Sequence, residues 1–348
     1  MFLSALSLFS LLLSLVMGAP AAVPMETPVR NWGPSWAASC ARGTSMVVSC
    51  RVVDSTDKHK NEDEHSSSDV RNNGILLLLR STTPPTVATK LQYQKDLLSS
   101  STISWTELPA ATLSTSNFTD VSPMRLEKKP LEEFRSVMDD SHGCFWTPFG
   151  ASALCAMTGL SSDVTHLCRV VQRRVHTHRT DYDVSPMATS SLTQAMSRTV
   201  RESTMAGRPF GLQALVVGKQ QHASSNNNPP LHVYSIDPSG AWRCWGSGCT
   251  AIGKLAESIR RHLYGGLVAS SSSNPNNNIH PQVAMEIAMQ ASVTASQEAS
   301  LNQDNDQYDA VLFWVDDVTG ACQVATVDPQ WVQDCRDRVT KSLLEEQV

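Results

Sequence analysis

Short apolar runs separated by polar segments recur along the chain and predict a series of buried strands. Met46 to Val53 is a valine-rich run, and Ile75 to Leu79 is a second run that lies between a glycine and an arginine. Apolar runs of this length, bounded by turn residues, are typical of buried strands. We therefore predict that the two strands pair, and that the polar residues 54–73 between them form a solvated loop.

The second half of the chain contains further runs of the same kind. The predicted strands are one or two in Cys144–Ala156, then Leu212–Val217, Leu231–Ile236, one within Ser239–Cys249, Asp309–Val315 and Cys322–Val327. Residues 316–320 separate the last two runs and contain aspartate and glycine, which predicts a hairpin turn.

A spacing close to 3.6 residues predicts helices elsewhere. Apolar residues recur in this way after Asp163, whose negative charge suits the first turn of a helix. The predicted helices are Asp163–Val175, a segment from Ser185 or Pro186 to about Glu202, Ile252–Tyr264, His280–Ser296 and a terminal helix from Pro329.

The order of these elements indicates an α+β fold with several layers, because groups of strands alternate with groups of helices. Three segments fall outside the pattern. Residues 93–130 are rich in serine and threonine without a clear period and are interpreted as an insertion. Residues 222–230 and 268–279 are rich in serine and asparagine, and we predict that they are mobile or disordered.

Composition excludes some classes of function. The formal net charge is −5, so the chain lacks the basic surplus of a nucleic-acid-binding protein. Its nine cysteines are scattered and include no Cys-x-x-Cys pair. Cys244 and Cys249 flank a predicted turn, but a zinc site needs a second pair of ligands at matching spacing. We therefore expect buried or free thiols, no metal and no cofactor.

The N-terminal residues 1–21 predict a signal-like apolar segment. Phe2 to Val16 is apolar except for serines, and Ala19-Pro20-Ala21 supplies a small-x-small cleavage pattern. The run is short for a membrane span, so its chemistry is that of a secretory signal peptide. An endoplasmic reticulum or secretory location is therefore one hypothesis, with no membrane association after loss of the segment.

Two turn motifs are the most informative feature of the chain. Gly207-Arg208-Pro209-Phe210-Gly211 precedes the strand at 212–217, and Asp237-Pro238-Ser239-Gly240 follows the strand at 231–236. Proline presets φ for a turn and glycine accepts a positive φ, so the second motif predicts a hairpin.

The order and spacing of these motifs resemble those of the α-type subunits of the proteasome. Downstream, Thr250–Lys254 and a helix continue the pattern, and upstream Thr158–Asp163 resembles the family's Gly-Leu-x-x-Asp helix start. Arg174 with His178-Arg179 resembles the Arg-x-x-x-His-Arg end of that helix. The resemblance extends over about 133–264, with weaker counterparts at 42–92 and 280–335. The structural motif residues that it implies are Gly159, Arg208, Pro209, Gly211, Asp237, Pro238, Gly240 and Gly253.

The resemblance implies a four-layer α-β-β-α sandwich of the N-terminal-nucleophile hydrolase type. It implies a single domain over 42–348, with insertions at 54–73, 93–130 and 268–279. The partners that it implies are other α- and β-type subunits in a heteroheptameric ring of the 20S core, in the cytoplasm and nucleus. Residues 20–41 contain nothing like the gate-forming segment with which α-type subunits begin, so the resemblance implies no gate here.

Thr44 is the one candidate nucleophile. In catalytic β-type subunits, a threonine freed by cleavage after glycine supplies the hydroxyl nucleophile and its own α-amine as base, and Gly43-Thr44 occupies the corresponding place. The family's supporting aspartate falls on Arg80, which has the wrong charge, and its lysine falls on Phe134 or Arg135.

The remaining support is also weak. The family's Asp-x-x-Ser-Gly pattern is missing from 300–310, and only Gly246-Ser247-Gly248 resembles the Gly-Ser-Gly of active subunits. We therefore expect a structural subunit without catalytic residues. The alternatives are a processed threonine hydrolase that uses Thr44, possibly secretory in location, and a stand-alone binding module.

Overall fold

Two antiparallel sheets form the centre of the computed structural model, and helices cover them. The structure describes residues 34–42, 45–53, 73–81, 106–108, 123–131, 134, 137–138, 144–182, 186–219, 231–273, 279–301, 306–316 and 319–345. All of these residues belong to one compact unit that extends over Gly33–Val348.

The described part of the chain contains thirteen strands. They are β1 Met46–Val53, β2 Asn73–Ser81, β3 Thr106–Leu108, β4 Met124–Pro130, β5 Val137–Met138, β6 Cys144–Phe149, β7 Ala153–Gly159, β8 Leu212–Lys219, β9 Leu231–Ile236, β10 Trp242–Trp245, β11 Thr250–Gly253, β12 Gln307–Val315 and β13 Cys322–Val327.

Six helices accompany the strands in the same part of the chain. They are α1 Pro34–Arg42, α2 Ser161–Asp181, α3 Thr189–Met205, α4 Ala256–Ser273, α5 Pro281–Glu298 and α6 Pro329–Glu345. Within these bounds, no helix is long and apolar enough to cross a membrane.

The first sheet has seven strands in the order β11-β1-β2-β12-β13-β4-β3, and the second has six in the order β10-β9-β8-β7-β6-β5. The predicted pairing of the two N-terminal strands is confirmed, with Met46 opposite Arg80 and Val53 opposite Asn73. The chain crosses from the second sheet back to the first at β11, which pairs with β1. This crossover brings residues near 250 to the start of β1.

Buried side chains form three cores. The middle core contains residues of both sheets, such as Ile75 and Phe313 from the first and Leu154 and Leu215 from the second. The α4–α6 core lies between the first sheet and helices α4, α5 and α6. The α2–α3 core lies between the second sheet and helices α2 and α3. The α+β class predicted from the order of elements is confirmed at this level.

Several predicted elements have the expected positions, and one helix buries the residues that its spacing predicts. Strands β1, β9 and β13 have the predicted bounds, and β9 and β10 form the predicted hairpin. In α2, the residues at the predicted spacing, from Val164 to Val171, are the ones buried in the α2–α3 core. Periodicity therefore identified the buried face of this helix correctly.

The predicted helix over Ile252–Tyr264 begins too early. Ile252 and Gly253 belong to β11, and α4 starts at Ala256. Gly253 has a φ of +89° and Leu255 a φ of +60°, and a right-handed helix does not pass through residues with positive φ. At its other end, α4 continues to Ser273, so the predicted disorder is wrong for residues 268–273.

Four other elements were not predicted. Helix α1 occupies residues 34–42, strands β3 and β4 lie within 93–130, and β5 is the two-residue strand Val137–Met138. In β4, Met124 and Leu126 are buried while Arg125 is exposed, and this alternation is too short to stand out from sequence alone. Of the loop predicted over 54–73, residues 54–72 lie outside the described residues, and Asn73 is the first residue of β2 instead. The predicted mobile segment 222–230 also lies outside the described residues.

Candidate functional site

Motif residues that are far apart in the sequence meet at the buried carboxylate of Asp163. This residue lies in the first turn of α2 and is 2% exposed. Its Oδ1 accepts a hydrogen bond from Arg208 Nη1 at 2.8 Å, and its Oδ2 accepts one from the Gly211 N–H at 2.9 Å. The carboxylate therefore ties the start of α2 to the segment that leads from α3 into β8.

Two glycines allow the backbones to approach closely beside this carboxylate. Gly159 has a φ of +124°, and a Cβ on it would collide with the carbonyl oxygen of Gly211. That oxygen accepts a hydrogen bond from the Leu160 N–H at 2.9 Å. A Cβ on Gly211 would lie 2.6 Å from Cys40 Cβ in α1. Pro209 is buried in the same segment, so the predicted motif is a packing junction.

Helix α1 packs onto this junction directly upstream of β1. It contacts β7, β8 and β11, and Ala37 and Ala41 are almost completely buried. The Thr158 hydroxyl donates a hydrogen bond to the Ala41 carbonyl oxygen at 3.1 Å. The Arg208 guanidinium lies 5.7 Å from the centre of the Trp36 ring, which is a cation–π distance. The chain that precedes residues 43–44 is therefore part of the packed structure.

The start of β1 is held from both sheets. The Ser45 carbonyl oxygen accepts a hydrogen bond from the Lys254 N–H at 3.0 Å. The Gln213 side chain, from the second sheet, accepts one from the Gly253 N–H at 2.7 Å. A Cβ on Gly253 would collide with the Ser45 carbonyl oxygen, which explains the glycine in this motif.

The Asp-Pro-Ser-Gly motif forms the predicted turn and docks it on α3. Asp237 Oδ1 accepts hydrogen bonds from the Ser239 N–H at 2.9 Å and the Ala241 N–H at 3.1 Å. Gly240 has a φ of +78°, and its carbonyl oxygen accepts a hydrogen bond from the Ser197 hydroxyl at 2.5 Å. A Cβ on Gly240 would lie 2.8 Å from the Ser197 carbonyl oxygen. This site needs both a positive φ and the absence of a side chain.

Arg80 is completely buried near the start of β1 and is paired. Its guanidinium forms an ion pair with Asp306, and its Nη1 donates a hydrogen bond to the Ser296 hydroxyl of α5. The guanidinium carbon lies 5.9 Å from the centre of the Tyr308 ring. Burial raises the pKa of Tyr308, while Arg80 and a hydrogen bond to Ser292 partly offset this effect. Arg80 faces the α4–α6 core, since Met46 opposite it does so as well.

The part of the chain that contains these motifs matches a known protein family. Residues 149–309 match the proteasome subunit family. No curated protein matches the chain. The matched segment contains Asp163, the Arg208–Gly211 turn, the Asp237–Gly240 turn and Gly253. The match supports the interpretation of the chain as a proteasome-type subunit and a component of the proteasome core. It does not distinguish the α type from the catalytic β type.

In a catalytic proteasome subunit, a lysine and an aspartate would support the threonine. Thr44 and Arg135 lie outside the described residues. Phe134 is 8% exposed and packs in the middle core, so an apolar side chain fills that position. Arg80 occupies the position expected for the aspartate, and Asp306 neutralises its charge. Asp306 was missed from the sequence, because no local pattern links it to Arg80.

The Gly246-Ser247-Gly248 element, which resembles the Gly-Ser-Gly of active proteasome subunits, does not lie near Ser45. Gly246-Ser247-Gly248 lies at the opposite end of β1, where a Cβ on Gly248 would be 3.2 Å from Arg51 Cβ. Ser45 and Arg51 are six residues apart in extended chain, which separates the two ends by about 20 Å. Elsewhere in the described part of the chain, no group of three His, Cys, Asp or Glu side chains is arranged to hold a metal ion.

Proposed function

We propose that this chain is a non-catalytic, α-type subunit of the 20S proteasome core, a structural component of a heteroheptameric ring in protein degradation. Its partners are other α- and β-type subunits. The observation that carries the proposal is the packing of α1 directly upstream of Thr44. The three cores support the finer fold, in which the layers are α2–α3, the second sheet, the first sheet and α4–α6.

The chemistry of a threonine nucleophile conflicts with the packing of α1. Such a nucleophile needs a free α-amine as its base, so the chain must be cut before Thr44. Cleavage there would detach α1 from the strand that follows. Thr158 and Arg208 would still contact Ala41 and Trp36 of α1. These contacts would then hold a helix that is no longer covalently linked to β1. An uncut chain retains these contacts and has no amine at residue 44.

The charges at the start of β1 support the same proposal. A threonine nucleophile needs a nearby lysine, whose positive charge lowers the pKa of the amine, and a carboxylate that orients this lysine. Arg80 places a positive charge where the carboxylate is expected, and Asp306 neutralises it in the interior. Phe134 supplies neither charge nor hydrogen bonds.

The proposed location is the cytoplasm and nucleus. The eight cysteines whose side chains the structure describes are all free thiols. Free buried thiols are typical of reducing compartments, whereas secreted proteins commonly use disulfides. Imaging of the full-length protein with its native N-terminus tests this proposal, and the proposed result is diffuse cytoplasmic and nuclear signal. Signal in the endoplasmic reticulum would instead favour the secretory alternative.

The sharpest test of function is the N-terminus of the assembled chain. The chain would be co-expressed with α- and β-type subunits from the same organism, and the assembly isolated by size exclusion. We expect native mass spectrometry to find the chain in a ring, and peptide mapping to recover residues 34–42 from it. A mature chain that begins at Thr44 would overturn the non-catalytic proposal. A stable monomer in the presence of all partners would overturn the ring proposal.

A further inference from the structure

Two cysteines face each other at the edge of the first sheet. Ser49 of β1 lies opposite Thr250 of β11, and the same register continued by one residue places Cys50 opposite Cys249. Both side chains belong to the α4–α6 core. Residues opposite each other on antiparallel strands have Cα atoms about 4.5–5.5 Å apart, a separation that a disulfide can join.

The two sulfur atoms already interact and have different protonation tendencies. The Cys249 thiol donates a hydrogen bond to the Ser247 carbonyl oxygen at 3.4 Å. The interaction with the Cys50 thiol is the main cause that lowers the pKa of Cys249 to about 7. The Arg51 N–H, 3.5 Å from the same sulfur, and the positive charge of Arg51 lower it further, against the effect of burial. The pKa of Cys50 lies well above the usual value for the same reason, together with burial.

The other buried thiols provide a contrast. Burial raises the pKa of Cys168 and Cys335 to about 12 and that of Cys322 to about 11. The thiolate is the reactive form of cysteine. Among the described cysteines, Cys249 therefore combines a reactive sulfur with a second thiol in contact.

Small molecules have a short path to this pair. Cys249 is 5% exposed and directly follows the turn at 246–248, whose first two residues are exposed. β11 is also at the edge of the first sheet, because among the described strands it pairs only with β1. Arg51 is fixed beside the turn, because its Nη2 donates a hydrogen bond to the Leu231 carbonyl oxygen at 2.8 Å.

We propose that Cys50 and Cys249 form an oxidative modification site, at which a hydroperoxide produces a disulfide between β1 and β11. The Cys249 thiolate attacks one peroxide oxygen, the O–O bond breaks, and Cys249 becomes a sulfenic acid. The leaving oxygen takes a proton and departs as water, or as an alcohol from an organic hydroperoxide.

The Cys50 sulfur then attacks the Cys249 sulfur, and the S–S bond forms as the S–O bond breaks. The departing hydroxyl takes the Cys50 proton and leaves as water. Two thiols are oxidised and one peroxide is reduced.

The test uses the full-length, fully reduced protein and hydrogen peroxide. After graded exposure, the protein is unfolded in urea, remaining thiols are blocked with N-ethylmaleimide, and the protein is mapped without reduction. We expect one linked peptide pair that contains Cys50 and Cys249, while Cys335 remains available for alkylation. Recovery of Cys50 and Cys249 as alkylated thiols, at a peroxide dose that fully oxidises exposed Cys244, would overturn the proposal. A disulfide that joins a different pair would do so as well.

Variants separate the two chemical steps. Cys50→Ser removes the second thiol, so Cys249 should stop at a sulfenic acid that dimedone traps, and the linked pair should be lost. Cys335→Ser, a buried thiol in the same core, should leave the yield of linked peptides unchanged. If Cys50→Ser prevents folding, mapping of the unmodified chain still decides the question. If Cys249 of the Cys50→Ser variant still formed a disulfide, with another cysteine and in the same yield, the proposed pairing would be contradicted.

The pH dependence provides an independent readout. The titratable and charged groups that face Cys249 are Cys50 and Arg51 of β1, and Tyr264 of α4, whose hydroxyl donates a hydrogen bond to the Cys249 carbonyl oxygen at 3.0 Å. The uncharged Ser247 accepts a hydrogen bond from the thiol through its carbonyl oxygen. With a pKa of about 7, the thiolate fraction rises roughly tenfold from pH 6 to pH 8 and then levels off. We expect the rate of peroxide reaction to follow this curve. A rate that continues to climb steeply above pH 8 would assign the reaction to an ordinary thiol.

Discussion

At the scale of single residues, some glycines lie where the backbone conformation and the neighbouring atoms leave no room for a side chain. Gly240 combines a φ of +78° with a close approach to the Ser197 carbonyl oxygen in α3. Gly246, in the next turn, has open space where a Cβ would be. The two positions therefore form a matched pair in which the turn residue is constrained and its neighbour is not.

We predict that Gly240→Val lowers stability by about 1–3 kcal/mol from backbone strain alone, with an added cost from the collision with α3. Gly246→Val should change the free energy of unfolding much less. Urea unfolding of both variants measures the difference. An unchanged midpoint for Gly240→Val would refute the interpretation of this turn.

The ion pair of Arg80 and Asp306 is a second residue-scale feature. Both side chains are 1% exposed. Removing one member of a buried pair leaves an uncompensated charge in the interior, which typically costs about 3–5 kcal/mol, whereas replacing both by apolar residues is often nearly neutral.

We therefore predict that Arg80→Met destabilises the protein strongly and that Arg80→Met combined with Asp306→Leu recovers much of the loss. Thermal and urea unfolding of the two variants and of Asp306→Leu alone complete the cycle. Strict additivity of the two single effects would show that the two charges are not coupled.

At the scale of elements, the sequence predicts what periodicity and turn chemistry control. The valine-rich β1 and the hairpin partner β13 have the predicted bounds, because their apolar runs end at turn residues. Helix α2 buries the predicted face, because its apolar residues recur at helical spacing. The start of α4 could not be predicted, because it depends on the left-handed backbone at Gly253 and Leu255.

The candidate site shows a sharper limit of sequence reasoning. The motif residues from Gly159 to Gly253 were identified, but the roles that join them depend on contacts between distant segments. Asp163 was interpreted as a favourable charge at a helix start, yet its carboxylate connects two motifs. Helix α1 is only nine residues long, and its role follows from the small side chains that it buries.

We predict that Ala41→Leu destabilises the protein by about 1–3 kcal/mol, because a larger side chain overpacks the contact of α1 with the sheets. Ala41 is 0% exposed. Ser39 lies on the exposed face of the same helix, so Ser39→Leu is the matched control and should have little effect. Equal effects of the two substitutions in urea unfolding would mean that α1 does not pack as described.

At the scale of the whole molecule, the three cores fix the surroundings of Ser45 and Met46, where β1 begins. The start of β1 is fixed by Lys254 from one side and preceded by the packed helix α1 on the other. Residues 34–42, which lie just upstream of β1, are thus integrated into the fold. Under the non-catalytic proposal, its function resides in the surfaces that it offers to neighbouring subunits, since ring contacts bury large areas.

We predict that Thr44→Ala leaves assembly and peptide hydrolysis of the reconstituted complex intact. The threonine would need a free amine, a lysine and an aspartate, whereas the chain retains α1 upstream, Phe134 in the core and a paired Arg80. The residue should then act only as a side chain at the start of a strand, worth at most about 1 kcal/mol in a cross-strand pair. Hydrolysis of a panel of peptides by complexes that contain the unmodified chain or Thr44→Ala provides the measurement. Intact assembly with one hydrolytic activity lost would show that Thr44 is catalytic, and that its supporting residues lie at positions other than Arg80 and Phe134.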